Sequence, residues 1–244
     1  PPLLTSTEHK IRLIESLGAQ GCLVLPFTRQ RAQQEPEAFF EDLIANIPAL
    51  KGMAVGANWT FGRLARGQPA LLEKLAAPHG VSVSMVKPVS WNGEPISSTR
   101  VRRAAFEGRL EDAASMLGRP FSVYGRVIRG RQFGRTMGFP TANVDPHNEV
   151  QPPAGVYAAR LSSQQSLYNG AAFRPAPGAG HPTPPDIVEI HLFDFDGDLY
   201  ETDVEVFFLK RMREPIQFPR TQQLQAQIAR DIEEIRAFFA IAQK

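Results

Sequence analysis

Residues 125–143 read GRVIRGRQFGRTMGFPTAN, and this short region holds four glycines and four arginines. Glycine lets backbone N–H groups approach phosphate oxygens closely, and arginine neutralises their charge. Gly130, Gly134 and Gly138 are therefore candidates for a phosphate-binding loop. A glycine-rich barrel hairpin with solvated arginines is the alternative, and the residues alone leave both interpretations open.

The end of the same stretch offers ligands for a hard cation. Thr141 and Asn143 can each present a side-chain oxygen. Mg²⁺ suits such ligands because it keeps most of its waters and is bound largely through substrate phosphates. Both residues are candidates for binding a magnesium nucleotide, with Thr141 as the metal ligand.

Residues 187–195, IVEIHLFDF, have the two-residue alternation of a β-strand. Apolar side chains face one way, and Glu189 and His191 share the other face. A carboxylate beside an apolar strand can act as a general base when its pKa suits the task. A surface or ion-paired glutamate is the alternative for Glu189, and His191 is more typical of a hydrogen-bonded packing residue.

The chain after residue 118 is dominated by short strands separated by turn residues. Strands are predicted over residues 123–128, 155–161, 187–195 and 199–209. The pair Asp196-Gly197 favours a hairpin turn between the last two. A final helix with one apolar stripe is predicted over residues 221–242. We expect a small antiparallel β-barrel closed by this C-terminal helix.

The first half alternates helices with strands. Helices are predicted near residues 5–17, 37–47, 70–77, 101–106 and 110–117, and strands over residues 21–27, 52–56 and 81–89. This alternation is typical of a doubly wound parallel sheet, here a partial one. The run GCLVLPF at residues 21–27 predicts a strand buried on both faces, with Cys22 as a buried thiol.

Two segments of the first half have the features of nucleotide-binding loops. Residues 55–63 follow a predicted strand, and ligands of open parallel sheets bind at the carboxyl ends of strands. Residues 96–102, ISSTRVR, place three hydroxyl side chains before a helix whose unpaired N–H groups can hold a phosphate. A plain helix N-cap is the equally weighted alternative for the second segment.

Composition and charge limit the classes of protein to which this chain can belong. The 244 residues are 43% hydrophobic with a formal net charge of +2, which is ordinary for a globular protein. No apolar run approaches the ~20 residues that cross a bilayer, so no membrane-spanning helix is expected. The single cysteine excludes an internal disulfide and a cysteine-based zinc site, and favours a cytoplasmic location.

The charges of the second half are segregated along the chain. Five arginines and no acidic residue lie between Ala113 and Val144, whereas eight acidic residues and no lysine or arginine lie between Pro175 and Leu209. The two segments can pair with each other, or form a site for an anionic ligand and its metal. Nucleic acid is not an expected partner, because few stacking aromatics are interleaved with the arginines.

Taken together, these motifs resemble the bacterial bifunctional riboflavin kinase/FAD synthetase family over essentially the whole chain. The resemblance rests on VGANWTFG at residues 55–62, ISSTRVR at residues 96–102, LGRP at residues 117–120, GFPTAN at residues 138–143, PAGVYA at residues 153–158 and EIHLFDF at residues 189–195. It implies a Rossmann-like nucleotidyltransferase domain over residues 1–118 and a riboflavin kinase barrel over residues 119–244.

The resemblance also implies an activity and the residues that carry it. The activity is ATP-dependent phosphorylation of riboflavin to FMN and adenylylation of FMN to FAD, with Mg²⁺ as cofactor and small molecules as the only expected partners. Glu189 is the implied base. The implied kinase nucleotide site is Thr141, Asn143, Gly130, Gly134 and Gly138; the implied flavin site is Arg213, Glu214 and Phe218; and the implied synthetase nucleotide site is Asn58, Phe61, Gly62, Ser97, Ser98, Thr99 and Arg100.

The chain also departs from the family pattern. It holds no His-x-Gly-His motif, Arg129-Gly130-Arg131 stands where the family has His-Gly-Asp, and AAFRP at residues 171–175 replaces another family segment. Because phosphate donors act together on the transition state, we expect these 244 residues to form FMN but little or no FAD. A single-activity or non-catalytic flavin- or nucleotide-binding relative remains the alternative, and the sequence does not indicate the oligomeric state.

Overall fold

The computed structural model describes residues 2–131, 133–147, 149–164, 166–178 and 183–241. The chain divides into two compact units. One unit, here called the barrel unit, comprises Pro1–Gln20 and Ser97–Lys244, and the other, the α/β unit, comprises Gly21–Ile96. The functional division at residue 118 stays a prediction, since these units follow packing and not activity.

The described helices and strands follow one another along the chain. The helices are α1 (Thr7–Ser16), α2 (Arg29–Ala32), α3 (Pro36–Asn46), α4 (Pro69–Ala76), α5 (Ser98–Phe106), α6 (Leu110–Leu117), α7 (Phe133–Thr136) and α8 (Thr221–Ile241). The strands are β1 (Gly52–Gly56), β2 (Ser82–Val86), β3 (Ser90–Trp91), β4 (Glu94–Pro95), β5 (Phe121–Ile128), β6 (Ala142–Asp145), β7 (Gly155–Ser163), β8 (Ser166–Arg174), β9 (Val188–Leu192) and β10 (Asp203–Arg213).

The α/β unit confirms the predicted alternation of helix and strand. Its strands β1 and β2 pair in parallel, with Gly52 opposite Ser82. Proline begins both α3 and α4, where its missing N–H costs no helical hydrogen bond. Phe40 of α3 and Leu72 of α4 are fully buried in one apolar cluster beside the strands, which is the core of this unit.

The buried strand predicted over residues 21–27 is wrong. These residues form no strand, the Cys22 thiol is exposed, and Phe27 is 84% exposed. A strand buried on both faces needs neighbours on its edges and helices over its faces. In the described part of the α/β unit, β1 and β2 pair only with each other, so no strand pairing holds this apolar run in the sheet.

The second half confirms the predicted antiparallel barrel. Six strands close in the order β10-β5-β6-β9-β8-β7. Val204, Val206 and Phe208 of β10 are buried and alternate with more exposed residues, as their pattern predicts. Strands β6 and β8, which the sequence did not mark, complete the ring. The barrel is a packed core, since alternate side chains of every strand fill its interior.

The hairpin predicted at Asp196-Gly197 is wrong. Strand β9 pairs with β6 and β8, whereas β10 pairs with β5 and β7. Both edges of β9 are therefore occupied, and the segment between β9 and β10 is a connection across the barrel. The turn residues marked a change of direction correctly but could not specify which strands become neighbours.

Helix α8 packs against the outside of the barrel. Ile235 and Phe239 are buried in a cluster with Val156, Ala158 and Phe193. The predicted C-terminal helix and its apolar stripe are thus confirmed over the described residues. Within the described chain, no helix has the length and apolarity that crossing a membrane requires.

Helix α1 is tied to the barrel by a buried ionic cluster. The ring of His9 is completely buried, with Nδ1 3.0 Å from Glu149 and Nε2 3.0 Å from Glu205. Burial alone would lower the pKa of His9, but the hydrogen bonds to the two carboxylates outweigh it and raise that pKa. Ser6 caps the helix, and its side chain accepts a hydrogen bond from the His9 backbone N–H.

Candidate active site

A pocket of about 500 Å³ lies on the outer wall of the barrel, beneath α8. Four groups of residues line it. The loop before β6 contributes Arg131, Gly134, Met137, Phe139 and Thr141; the barrel wall contributes Asn143, Val156, Ala171, Ala172, Phe173, Glu189 and His191; the connection between β8 and β9 contributes Ala176 and Thr183; and the segment from the end of β10 into α8 contributes Arg213, Pro215, Ile216, Gln217, Phe218, Leu224, Ile228, Asp231 and Ile232.

The strand register brings the polar residues of the wall together. Asn143 of β6 lies directly opposite Glu189 of β9, and Glu189 lies directly opposite Phe173 of β8. Directly opposed residues of antiparallel strands point to the same face. Their neighbours Val188 and Ile190 are buried in the barrel, so the shared face is the outer one.

Glu189 is half-buried in the pocket wall, as its alternation predicts. The hydroxyl of Thr183 donates a hydrogen bond to Glu189 Oε1. This contact fixes the direction of one carboxylate oxygen. The geometry suits a base that must reach a substrate hydroxyl in the pocket.

His191 is a hydrogen-bonded packing residue, which agrees with its sequence interpretation. Its Nδ1 lies 2.8 Å from the carbonyl oxygen of Pro140, and its ring makes an edge contact with Phe139. A carbonyl oxygen only accepts, so Nδ1 carries the proton. The contact ties β9 to the loop that leads into Thr141.

The glycines of the predicted phosphate loop allow close packing around Thr141 and Asn143. A Cβ on Gly130 would lie 2.4 Å from Asn143 Nδ2, and a Cβ on Gly134 would lie 2.4 Å from the carbonyl oxygen of Phe139. Only glycine fits either position without movement of its neighbours. Gly138 is exposed with a φ of +86°, a left-handed conformation that glycine adopts freely, and it does not line the pocket.

The donor set of the pocket fits a magnesium ion bound mainly through its substrate. Thr141, Asn143 and Glu189, whose side chains carry oxygen atoms, all line the same pocket. Among the described residues, no cluster of three or more His, Cys, Asp or Glu side chains could hold a metal by itself. Mg²⁺ needs only one or two protein ligands when phosphates supply others.

Two of the three predicted flavin residues line the pocket, and the third is exposed. Arg213 and Phe218 line the pocket, whereas the side chain of Glu214 is 81% exposed and pairs with Arg211. Arg213 forms a two-fold ion pair with Asp231 of α8, at 2.8 and 2.6 Å. Sequence reasoning missed Asp231.

A signal for Asp231 was present in the sequence. Leu224, Ile228 and Ile235 recur on one face of α8, and Asp231 occupies the same face at the spacing of one more apolar position. It is 5% exposed. An acidic residue inside an apolar stripe indicates a buried partner, because a buried charge is paired or very costly.

The segregated charges form an internal ion pair, one of the two alternatives that the sequence left open, while their role toward an anionic ligand stays a prediction. Arg126 and Asp203 form a surface ion pair across β5 and β10, at 2.9 Å. The hydrogen bond from Arg126 lowers the pKa of Asp203. Arg131 instead lines the pocket, where its charge is available to an anionic ligand.

The first synthetase segment lies in the α/β unit. Asn58 is exposed just beyond the carboxyl end of β1, as a ligand-binding position would be. Phe61 is 6% exposed and stacks on Trp59 at 4.8 Å, so it belongs to the core of the unit. Gly62 has a φ of +71°, and a Cβ there would lie 2.7 Å from Pro36.

The second synthetase segment lies at the start of α5, in the barrel unit. Ser97 caps this helix by accepting a hydrogen bond from the backbone N–H of Arg100, at 3.3 Å. Ser98 and Thr99 are exposed, and Arg100 is half-buried. The N-cap interpretation is therefore confirmed, while phosphate binding stays a prediction.

Comparison with known proteins identifies the family. A family model described as riboflavin kinase matches residues 117–239, and one described as FAD synthetase matches residues 1–100. A bifunctional riboflavin kinase/FMN adenylyltransferase of Haemophilus influenzae is 34% identical over 98% of this chain and 78% of its own length. The chain belongs to this bifunctional family. The Escherichia coli K12 member is 35% identical over 99% of this chain and 77% of its own length.

A solved structure extends the likeness to the fold. A crystal structure described as a macrolide-efflux protein from Streptococcus pneumoniae superposes with a TM-score of 0.77 and 29% identity, covering 95% of this chain and 74% of that one. The riboflavin kinase match contains the barrel, most of α8 and all the residues that line the pocket. The FAD synthetase match contains the whole α/β unit.

Proposed function

We propose that the pocket on the barrel wall transfers the γ-phosphoryl group of Mg²⁺–ATP to riboflavin, forming FMN, and that residues 1–118 carry the adenylylation of FMN to FAD. One observation carries the kinase assignment. The register places Asn143 opposite Glu189, beside Thr141, in a single pocket. Ligands for a magnesium nucleotide and a candidate base thus face one substrate volume.

The pocket has the size and the polarity that both substrates require. Its volume of about 500 Å³ lies within the ~300–1,000 Å³ of small-molecule sites. The α8 side presents Leu224, Ile228 and Ile232, an apolar surface suited to an isoalloxazine ring. The loop side presents Arg131 and Thr141, which suit phosphate and its cation.

In the proposed reaction the chain positions groups and moves one proton. Glu189 accepts the proton of the ribityl 5′-hydroxyl while that oxygen bonds to the γ-phosphorus, and the bond to the bridging oxygen breaks to release ADP. Thr183 keeps the Glu189 carboxylate aimed. Thr141 and Asn143 would hold Mg²⁺, which neutralises charge on the phosphates.

The two reactions are assigned by measuring their products. The chain is incubated with riboflavin, ATP and Mg²⁺, and the flavins are separated by chromatography. FMN formation supports the kinase proposal. FAD formation supports the adenylylation proposal and would contradict the sequence-based expectation of little or no FAD. Riboflavin binding without FMN would instead support the non-catalytic alternative, which the unusual Arg129-Gly130-Arg131 segment favours.

We extend the proposal to a cytoplasmic location. The reaction consumes ATP, and the lone Cys22 is an exposed free thiol. Free thiols are typical of reducing compartments.

A further inference from the structure

The Arg213–Asp231 ion pair connects β10 to α8, and both residues line the side of the pocket that we assign to the flavin. Arg213 is the last residue of β10, and Asp231 lies at the middle of α8. Asp231 accepts from Arg213 Nε at 2.8 Å, from Arg213 Nη2 at 2.6 Å and from Gln227 Nε2 at 2.9 Å. Its side chain is 7% exposed, so the charge depends on these partners.

The guanidinium of Arg213 is engaged on both of its sides. The fork formed by Nε and Nη2 faces Asp231, and Nη1 donates to the carbonyl oxygen of Glu214 at 2.9 Å. Arg213 therefore has no free two-fold edge for a substrate. It holds the first residue of the segment 214–220, which connects β10 to α8.

This segment forms one wall of the pocket. Pro215, Gln217 and Phe218 line it, and Phe173 and Val156 line it from the barrel wall. The distance between the two walls is set where the segment is anchored, which is the Arg213–Asp231 pair. The affinity for a planar ring that binds between the two walls therefore depends on that distance.

We propose that Asp231 is a positioning residue for the flavin: by fixing Arg213, it sets the width of the slot that receives the isoalloxazine ring. The inference rests on the proposed kinase function. Asp231 acts through Arg213 and not on the reacting atoms. Its loss is expected to weaken riboflavin binding while leaving use of Mg²⁺–ATP and the chemical step largely intact.

A second ion pair on the same helix provides a matched control. Arg236 of α8 also donates two hydrogen bonds to one carboxylate, from Nη1 and Nη2 to Asp194 at 3.0 and 2.9 Å. Asp194 is 79% exposed, and neither residue lines the pocket. Both pairs connect α8 to the barrel, but only the Arg213–Asp231 pair borders the substrate volume.

The test compares Asp231→Asn with Asp194→Asn. For each variant, kcat and the KM values for riboflavin and Mg²⁺–ATP are measured, together with riboflavin affinity by flavin fluorescence and the thermal midpoint. We expect Asp231→Asn to raise the riboflavin KM and Kd about tenfold or more, since Arg213 loses its buried counter-charge. The KM for Mg²⁺–ATP should change less than about twofold, and Asp194→Asn should change neither.

Two further variants keep the test decisive if Asp231→Asn does not fold. Asp231→Glu and Arg213→Lys keep the charges but alter the fork, so each should raise the riboflavin KM by a smaller factor at near wild-type thermal midpoint. An unchanged riboflavin KM, or an equal rise in both KM values, would overturn the inference while wild-type FMN formation upholds the function. A wild-type chain that neither binds nor phosphorylates riboflavin would overturn both.

Discussion

The barrel and the α/β unit differ in how they bring candidate site residues together. In the barrel, residues from separate strands, such as Asn143 and Glu189, are held side by side by hydrogen-bonded register. In the α/β unit, Asn58 is exposed at the end of β1, while the other candidate synthetase segment, Ser97–Arg100, belongs to the barrel unit. A closed ring of strands thus fixes the neighbours of each side chain, whereas a two-stranded sheet fixes few.

The barrel and the α/β unit also differ in how deeply they bury apolar segments of the sequence. Strand β5 begins with Phe121, and residues 21–27 have a similarly apolar pattern. Phe121 lies opposite Phe208 of β10 and is completely buried, yet Leu23 is 65% exposed. Burial therefore depends on available partner strands, because a strand hides its faces and satisfies its backbone only within a sheet.

The largest expected effect is a loss of catalysis in the barrel pocket. Glu189→Gln keeps the shape of the side chain but removes its ability to accept a proton. We expect kcat for FMN formation to fall by about 10²–10⁴, the usual contribution of a general base. Riboflavin binding and the thermal midpoint should be retained. Glu201→Gln, at an exposed glutamate outside the pocket, is the control, and a wild-type rate in Glu189→Gln would remove Glu189 from this role.

The next effect separates the nucleotide side of the pocket from its flavin side. Thr141→Ala removes one oxygen ligand, and loss of a hydrogen bond to a charged group costs about 1.5–3 kcal/mol. We expect the KM for Mg²⁺–ATP to rise about 10–100-fold with little change in riboflavin affinity. Thr202→Ala is the control, since that hydroxyl donates to Leu199 outside the pocket. Equal effects on both substrates would contradict a nucleotide role.

A pair of glycine substitutions sharpens the comparison between the two regions. Gly130→Ala places a Cβ against Asn143, whereas Gly21→Ala meets no atom within 4 Å. We expect Gly130→Ala to lower the free energy of unfolding by about 1–3 kcal/mol and to reduce FMN formation. Gly21→Ala should stay within about 0.5 kcal/mol of wild type. Denaturant unfolding measures both, and equal effects would mean that the loop accommodates the methyl group.

The smallest effect concerns the attachment of α1 to the barrel. Because the pKa of His9 is raised in the folded chain, its contribution to stability is complete below its unfolded pKa of about 6.5 and is lost as pH rises through the folded pKa. The pKa of Glu205 is lowered, since the His9 and Ser122 hydrogen bonds outweigh its burial. Its contribution is therefore lost at acid pH, and stability should be greatest between these limits.

Unfolding measured from pH 6 to pH 9 tests this dependence. Wild type should lose stability as the pH rises, and His9→Gln should flatten that slope. Lys10→Gln, which removes a charge from the exposed side of the same helix, should keep it. A wild-type slope in His9→Gln would show that other groups govern the dependence.

Most of the barrel site was predictable because its signals are local. The alternation in residues 187–195 placed Glu189 and His191 on one face, and GFPTAN marked Thr141 and Asn143. The pairing of Asp231 with Arg213 was not predictable, because 18 residues and a change from strand to helix separate them. The buried contact of His9 with Glu149 spans 140 residues and was missed for the same reason.

The sequence by itself determined the antiparallel barrel, its C-terminal helix, the α/β character of the first half and the family of the chain. These follow from periodicity, turn residues and motifs, which act over a few neighbouring residues. The tertiary structure alone decided which strands pair, so that β9 joins β6 and β8 and forms no hairpin with β10. It also decided that residues 21–27 stay exposed, because the free energy of a strand depends on partners that its own sequence does not specify.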